Sequence, residues 1–285
     1  MRNLFWIFIP ILTIHGCKIA DLRTPEIDAS SPNREARAVL LLDKVISKHN
    51  LDKLANAENY ALTATDNWRG LNAVVNPFPR DNELMELRFR PSSFDGQFKY
   101  LETSNDHIYG VQSFNFYRIR GDGNIKFKKK RSVTFTLPAI QYFFELPLRI
   151  KNAPILKYAG TTEFEHKTYD LVFATWDMLE PHKEHDQYLL YIDQETYKLS
   201  FASYTVRGIY LPAPKSVFGS IRFSQLQRNQ DGILFPGRLS IQLNGLKNEG
   251  RALHTITIED LQLNNFDLAK LYPDKGIEYL GDSKD

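Results

Sequence analysis

The alternation of apolar and polar positions divides the chain into one amphipathic helix followed by a long run of strands. Over 34–49 the apolar residues Ala38, Leu41, Leu42, Val45 and Ile46 recur at helical spacing, with Arg37, Asp43, Lys44, Ser47 and Lys48 opposite them. Ser31-Pro32 supplies an N-cap and a first-turn proline, Glu35 sits where the helix dipole favours an anion, and Asn50 suits a left-handed terminating residue. The period then changes to two. Strands are predicted over 60–67, 84–90, 97–102, 107–120, 125–131 and 133–137, with turn signals at Phe94-Asp95-Gly96 and Gly121-Asp122-Gly123-Asn124. Short turns between consecutive strands mean an antiparallel meander. Leu137-Pro138 opens a short helix over 139–146, with Ile140, Phe143, Phe144 and Leu146 on one face and Pro147 at its end.

A second meander follows, with strands predicted over 169–176, 187–192, 197–206, 220–226, 234–243 and 253–263. Asp193 suits an Asx-turn between two of them. Their middles are apolar on both faces: in YDLVFATW, Tyr169, Leu171 and Phe173 alternate with Asp170, Val172, Ala174 and Trp176. A sheet with one wet face would alternate apolar with polar. This sheet is therefore expected to be covered on both faces, by helices on one and by a cavity on the other. The fold class is mainly β, an α+β arrangement built on an antiparallel sheet.

Composition narrows the function. The 285 residues carry 36 basic and 34 acidic side chains, a net +2, which speaks against a nucleic-acid partner. No Ser or Cys nucleophile in a recognisable setting, Gly-rich phosphate loop or dinucleotide fingerprint occurs, so neither an enzyme nor a cofactor is expected. Segment 177–186, DMLEPHKEHD, gathers His182 and His185 among carboxylates. It reads as a solvated loop at a hairpin tip rather than a metal site, because metal ligands must converge on one point with supporting groups. The run Lys126, Lys128, Lys129, Lys130 and Arg131 reads as a guard on an exposed strand edge, with anionic headgroups the alternative.

The N-terminal stretch LFWIFIPILTIHGC, residues 4–17, decides the compartment. Arg2 precedes an apolar run too short to span a bilayer, and Gly16 is the small residue at a cleavage junction. Ile14-His15-Gly16-Cys17 resembles the lipobox of bacterial lipoproteins, which implies removal of residues 1–16 as a signal peptide and diacylation of Cys17. Cys17 is the chain's one cysteine, and a lipid thioether removes the liability of a lone exported thiol. Residues 17–32 are expected to form the lipidated terminus and a tether without fixed structure over 18–30, 33–275 the folded domain, and 276–285 a tail.

These elements, with the tyrosine-rich strand, turn and returning strand YLLYIDQETYKLSFASYTVRG at 188–208, resemble lipoproteins of the LolA/LolB superfamily. More closely they resemble a related family of Gram-negative outer-membrane lipoproteins. The resemblance implies an unclosed antiparallel half-barrel with a helical lid and an apolar concave face that holds acyl chains. By that resemblance Leu41, Leu42, Val45, Phe143 and Phe144 form the lid, and Phe114, Phe116, Trp176, Tyr191, Phe201 and Tyr204 line the groove. The function it implies is a lipid-anchored, non-enzymatic protein of the cell envelope, at the outer membrane, with its domain in the periplasm or at the cell surface. A lipid or another lipoprotein's acyl chain would be the ligand. The alternative is a structural or interaction subunit of an envelope complex, partnered by another envelope protein, whose barrel is filled by its own side chains.

Overall fold

In the computed structural model, residues 19–27, 33–70, 76–103, 106–128, 130–207, 214–246 and 252–276 are described. Helix α1, Asn33–His49, forms as its spacing requires and buries Ala38, Leu41, Leu42, Val45 and Ile46. Asn50 ends it at φ 54° and ψ 37°, and the five-residue α2, Leu51–Ala55, follows. Strands β1 Tyr60–Trp68, β2 Leu84–Phe89, β3 Gly96–Tyr100, β4 Ile108–Gln112, β5 Asn115–Ile119 and β6 Ile125–Lys128 make the first meander. Helices α3 Arg131–Phe144 and α4 Leu146–Ile150 come next. The second meander is β7 Ile155–Phe164, β8 Lys167–Thr175, β9 Gln187–Asp193, β10 Leu199–Thr205, β11 Phe218–Arg228, β12 Leu234–Leu243 and β13 His254–Leu263.

Among the described residues these form one antiparallel 13-stranded sheet in the order β6-β5-β4-β3-β2-β1-β13-β12-β11-β10-β9-β8-β7. The first and last strands pair in its middle, Tyr60 opposite Leu263 and Trp68 opposite His254. The two edges, β6 and β7, do not meet, and the chain passes from one to the other through α3 and α4. The result is the unclosed half-barrel that the resemblance implied, with α1 and α3 on its concave face. Leu42, Val45, Val133, Leu137 and Ile140 share one core there with Leu62, Leu87, Val172, Leu190 and Ile256. Strand β6, with the lysines at 126 and 128, is a sheet edge as predicted, but it ends at Lys128: Lys130 donates to the Pro77 carbonyl at 3.0 Å and Arg131 opens α3, while Lys129 lies outside the described residues.

Three local expectations are corrected. Segment 133–137 is helix, not strand, because Val133, Leu137, Ile140 and Phe144 follow helical spacing into the core and that burial outweighs the β-branched local sequence. Pro138 lies inside α3, where it removes one helical hydrogen bond. The stretch 107–120 is a hairpin rather than one strand, turning at Ser113 and Phe114 with φ 46° and 59°. Residues 19–27 are docked rather than free. Leu22 and Ile27 pack with Ala159, Leu171, Phe173 and Leu189 in a second core on the convex face. The Leu22 N–H donates to Gln187 at 2.9 Å and the Thr24 hydroxyl to the Ala159 carbonyl at 2.7 Å. The second apolar face of YDLVFATW is thus covered by the N-terminal segment, not by a cavity.

Candidate ligand-binding groove

Helix α3 crosses the concave face without filling the space beneath it. Its residues Val133, Leu137, Ile140 and Phe144 drive into the core, while Phe135, Pro138, Ala139 and Tyr142 face open space. Two cavities result. One, of about 280 Å³, lies toward the ends of β8, β9 and β10 and is bordered by Phe114, Tyr142, Phe143, Trp176, Tyr188 and Tyr204. The other, of about 350 Å³, lies toward β11, β12 and β13 and is bordered by Phe135, Ile140, Val217, Leu243, Leu253 and Ile256. Phe135, Ala139, Phe143, Tyr204 and Val206 border both, so the two are lobes of one groove.

The walls are held by ring contacts. Phe143 and Tyr204 lie 4.6 Å apart, Trp176 meets Tyr188 edge-on at 5.9 Å, and Tyr188 stacks on Tyr204 at 6.3 Å. Tyr188 and Tyr204 face each other across the β9–β10 pair. Burial raises the pKa of both phenols well above the usual value, so both stay neutral. Gly219 on β11 lets the Tyr204 ring lie against the backbone, where an added Cβ would come within 2.3 Å of it.

Polar groups gather at the rim. Asp186 accepts from the Thr205 hydroxyl at 3.1 Å and the Arg207 N–H at 2.8 Å, and burial still pushes its carboxyl up to about 6. At the other lobe Trp68 stacks on His254 at 4.0 Å and donates its indole N–H to Asp66, which also pairs with His254. In the loop 177–186, His182 and His185 stack at 4.9 Å, and the possible ligand atoms of His182, Glu184 and His185 lie within 4.8 Å of one another. His185 also faces Asp177 at 3.6 Å. These are the residues that could hold a divalent cation, although one tetrahedral ion sets its ligands about 3.4 Å apart.

Of the residues the resemblance placed at the groove, Phe114, Phe143, Trp176 and Tyr204 border it. Phe116 and Phe144 are core: Phe144 stacks on Tyr60 at 5.6 Å. Tyr191 and Phe201 are on the wrong face. Tyr191 packs against the convex core, and Phe201 meets Phe164 edge-on at 5.4 Å. A register shift between Leu199 and Phe201 puts Leu199, Ala202 and Tyr204 on the concave side. Leu41, Leu42 and Val45 are buried beneath α1 and border neither lobe. Cys17 lies outside the described residues. Sequence reasoning missed Phe135, Ala139 and Tyr142, which sit on the misassigned part of α3 or opposite its apolar stripe, and Tyr188, which the pairing with Tyr204 would have indicated.

No protein-family model and no curated protein matches the chain. Solved structures do. A DUF1329 family protein from Desulfovibrio piger is similar with a TM-score of 0.49 at 9% identity, over 82% of this chain and 96% of that one. A LolA superfamily protein from Nitrosomonas europaea is similar with a TM-score of 0.47 at 10% identity, over 84% of this chain and 99% of that one.

Proposed function

We propose that this chain is a membrane-anchored, non-enzymatic envelope protein that binds a lipid, or the acyl chains of another lipoprotein, in the groove beneath α3. The observation that carries the reading is the pair of adjoining cavities, about 280 and 350 Å³, walled mainly by aromatic and aliphatic side chains, with the charged groups at the rim and the hydroxyls of Ser132, Thr134 and Thr136 contributed by α3. That is the character of a site for an apolar ligand, where each methylene taken from water contributes about 0.8 kcal/mol. Acylation of Cys17 at the outer membrane belongs to the same proposal and is supported by the lipobox-like sequence.

Native mass spectrometry with solvent extraction of the full chain tests it. A stoichiometric lipid, or saturable uptake of a fluorescent fatty acid, is expected; an apo mass without uptake sinks the reading. The same spectrum reads the mass added at Cys17. A second reading, an interaction subunit, is favoured by β6, whose Ile125 and Phe127 are each 41% exposed on a free sheet edge. It predicts an apo protein with a partner chain that cross-links to β6.

A further inference from the structure

Phe94 and Phe114 come from the turns after β2 and β4 at one end of the half-barrel; beyond α3, most of the groove's lining comes from the other end. Strand β8 ends there at Thr175, β9 begins at Gln187, β10 ends at Thr205, β11 begins at Phe218, β12 ends at Leu243 and β13 begins at His254. The polar rim and the outer lining of both lobes, from Trp176 and Glu184 to Val217 and Leu253, come from these ends and the loops beyond them.

The N-terminal segment is fixed at the same end. The Ala20 N–H donates to the Lys215 carbonyl at 2.9 Å, and the Arg207 guanidinium donates to the Ala20 carbonyl at 2.7 Å. Arg207 is 1% exposed and follows Val206, which borders both lobes. From Ala20 the chain runs down the convex face through Leu22 and Ile27, away from the rim. Ala20 is the third residue after Cys17, a reach of at most about 11 Å when fully extended.

We infer that the end of the half-barrel that supplies most of the groove's lining is held against the bilayer, so that a lipidic ligand passes between groove and membrane without crossing water. Attachment at Cys17 through a docked segment acts as a fixed mount rather than a leash. The rim has the chemistry for that contact. Met178 and Leu243, 38% and 40% exposed, project apolar side chains there. Of its carboxylates, Glu180 is met by Arg23 at 3.8 Å and Asp177 by His185 at 3.6 Å, while Glu184 and Lys183 are exposed. The opposite end, with turns at Glu165-His166, 194–196 and 230–231, exposes His166 and Glu195 and carries Glu165 paired with Arg222 at 2.6 Å. The identity of the cargo rests on the lipid-binding reading; the orientation rests on the docked segment and on attachment at Cys17.

Intrinsic fluorescence separates the two. Trp68 and Trp176 both border the groove at the rim end, and the remaining tryptophan, Trp6, precedes Cys17. The full chain carrying Trp6→Phe is expressed in a bacterial envelope, purified with its attachment and reconstituted into phosphatidylethanolamine–phosphatidylglycerol vesicles containing a dansyl-headgroup lipid. Energy transfer from Trp68 and Trp176 should exceed severalfold that from a chain whose tryptophans are replaced by Phe and whose far-end turn carries Glu195→Trp. Inserting a long Gly/Ser stretch between Lys18 and Ile19 should abolish the difference. Equal or reversed transfer, or transfer unaffected by the insertion, overturns the inference. Hydrogen exchange on unsubstituted protein gives the same comparison should the substituted chain fail to fold. Vesicles should protect 177–186 and 243–246 and leave 194–196 unchanged; the opposite pattern overturns the inference. None of these readouts needs a bound ligand, so an apo protein in the correct orientation would overturn the lipid-binding reading alone.

Discussion

Helices α1 and α3 lie on the same face of the same sheet, and one seals it while the other leaves it hollow. Beneath α1, five aliphatic side chains at regular spacing meet the strands, and the gap at its end by His49 and Leu51 holds about 20 Å³. That is roughly room for one water. Beneath α3 the two lobes hold about 280 and 350 Å³. The difference lies in what each helix points at the sheet. Beside its buried stripe helix α3 carries the small Pro138 and Ala139, and its large rings, Phe135 and Tyr142, border the space. Cavity formation is therefore local to one helix face, and the remainder of the barrel can be packed to ordinary density.

The comparison breaks hardest at Glu145, between α3 and α4. Its carboxylate accepts from the Tyr60 hydroxyl at 2.8 Å, Gln141 at 2.9 Å, Arg149 at 2.9 Å and the Ser92 N–H at 3.1 Å. These contacts fix the C-terminal end of α3, where Tyr142 and Phe143 wall the groove. Glu145→Ala leaves a buried guanidinium uncompensated, and urea denaturation should show a loss of about 3–5 kcal/mol. A loss below about 1 kcal/mol would mean that the ion pair does not hold the lid.

Leu42→Ala tests the sealed side. A fully buried leucine truncated under α1 should cost about 2–5 kcal/mol in the same assay, with fatty-acid uptake per folded molecule unchanged. Reduced uptake would show that α1 helps form the site. Ala139→Phe tests the hollow side. A ring placed at the junction of the two lobes should lower ligand affinity at least about tenfold, or about 1.4 kcal/mol, with little change in the melting temperature. Destabilisation without loss of binding would place the ligand elsewhere.

The sealed half was the more legible in sequence for the same physical reason. Periodic aliphatic residues announce both a helix and its buried face, so α1, its left-handed end at Asn50 and the Asp193 turn, whose carboxylate accepts from the Glu195 and Thr196 N–H groups, were all predictable. The hollow half depends on contacts that local pattern does not carry. VTFTL favours a strand until Leu137, Ile140 and Phe144 find a core, and Ser113-Phe114 turns a hairpin with residues that lack the usual turn preference. The doubly apolar strands did signal that both faces are covered. What covers the convex face, Leu22 and Ile27 in an otherwise polar segment, was too sparse to read. The side chains facing the groove turned on which alternating set of β10 is concave, a choice local pattern does not make: Ala202 and Tyr204 face inward and Phe201 outward, and the register shift before Phe201 brings Leu199 to the inner side as well.

The smallest effect is the sharpest contrast, because the two sides should answer pH with opposite signs. On the sealed side His49 is buried, donates from Nδ1 to the Leu234 carbonyl at 2.8 Å, and burial holds its pKa below the usual value. As pH falls below about 6.5 the unfolded chain takes up a proton there that the folded chain refuses, so this contribution to stability is lost toward acid. On the rim of the hollow side, Asp186 is pushed up to about 6 by burial. The folded chain then holds a proton that an unfolded aspartate releases near 3.9, so the contribution present below about pH 4 is lost as pH rises toward 6. Melting temperatures measured from pH 4 to 7 should show His49→Asn gaining on the parent protein as pH falls below 6.5. Asp186→Asn should gain on it as pH rises from 4 to 6. Curves that stay parallel to the parent would show that neither group titrates differently on folding, and two variants that drift in the same direction would remove the distinction between the sides.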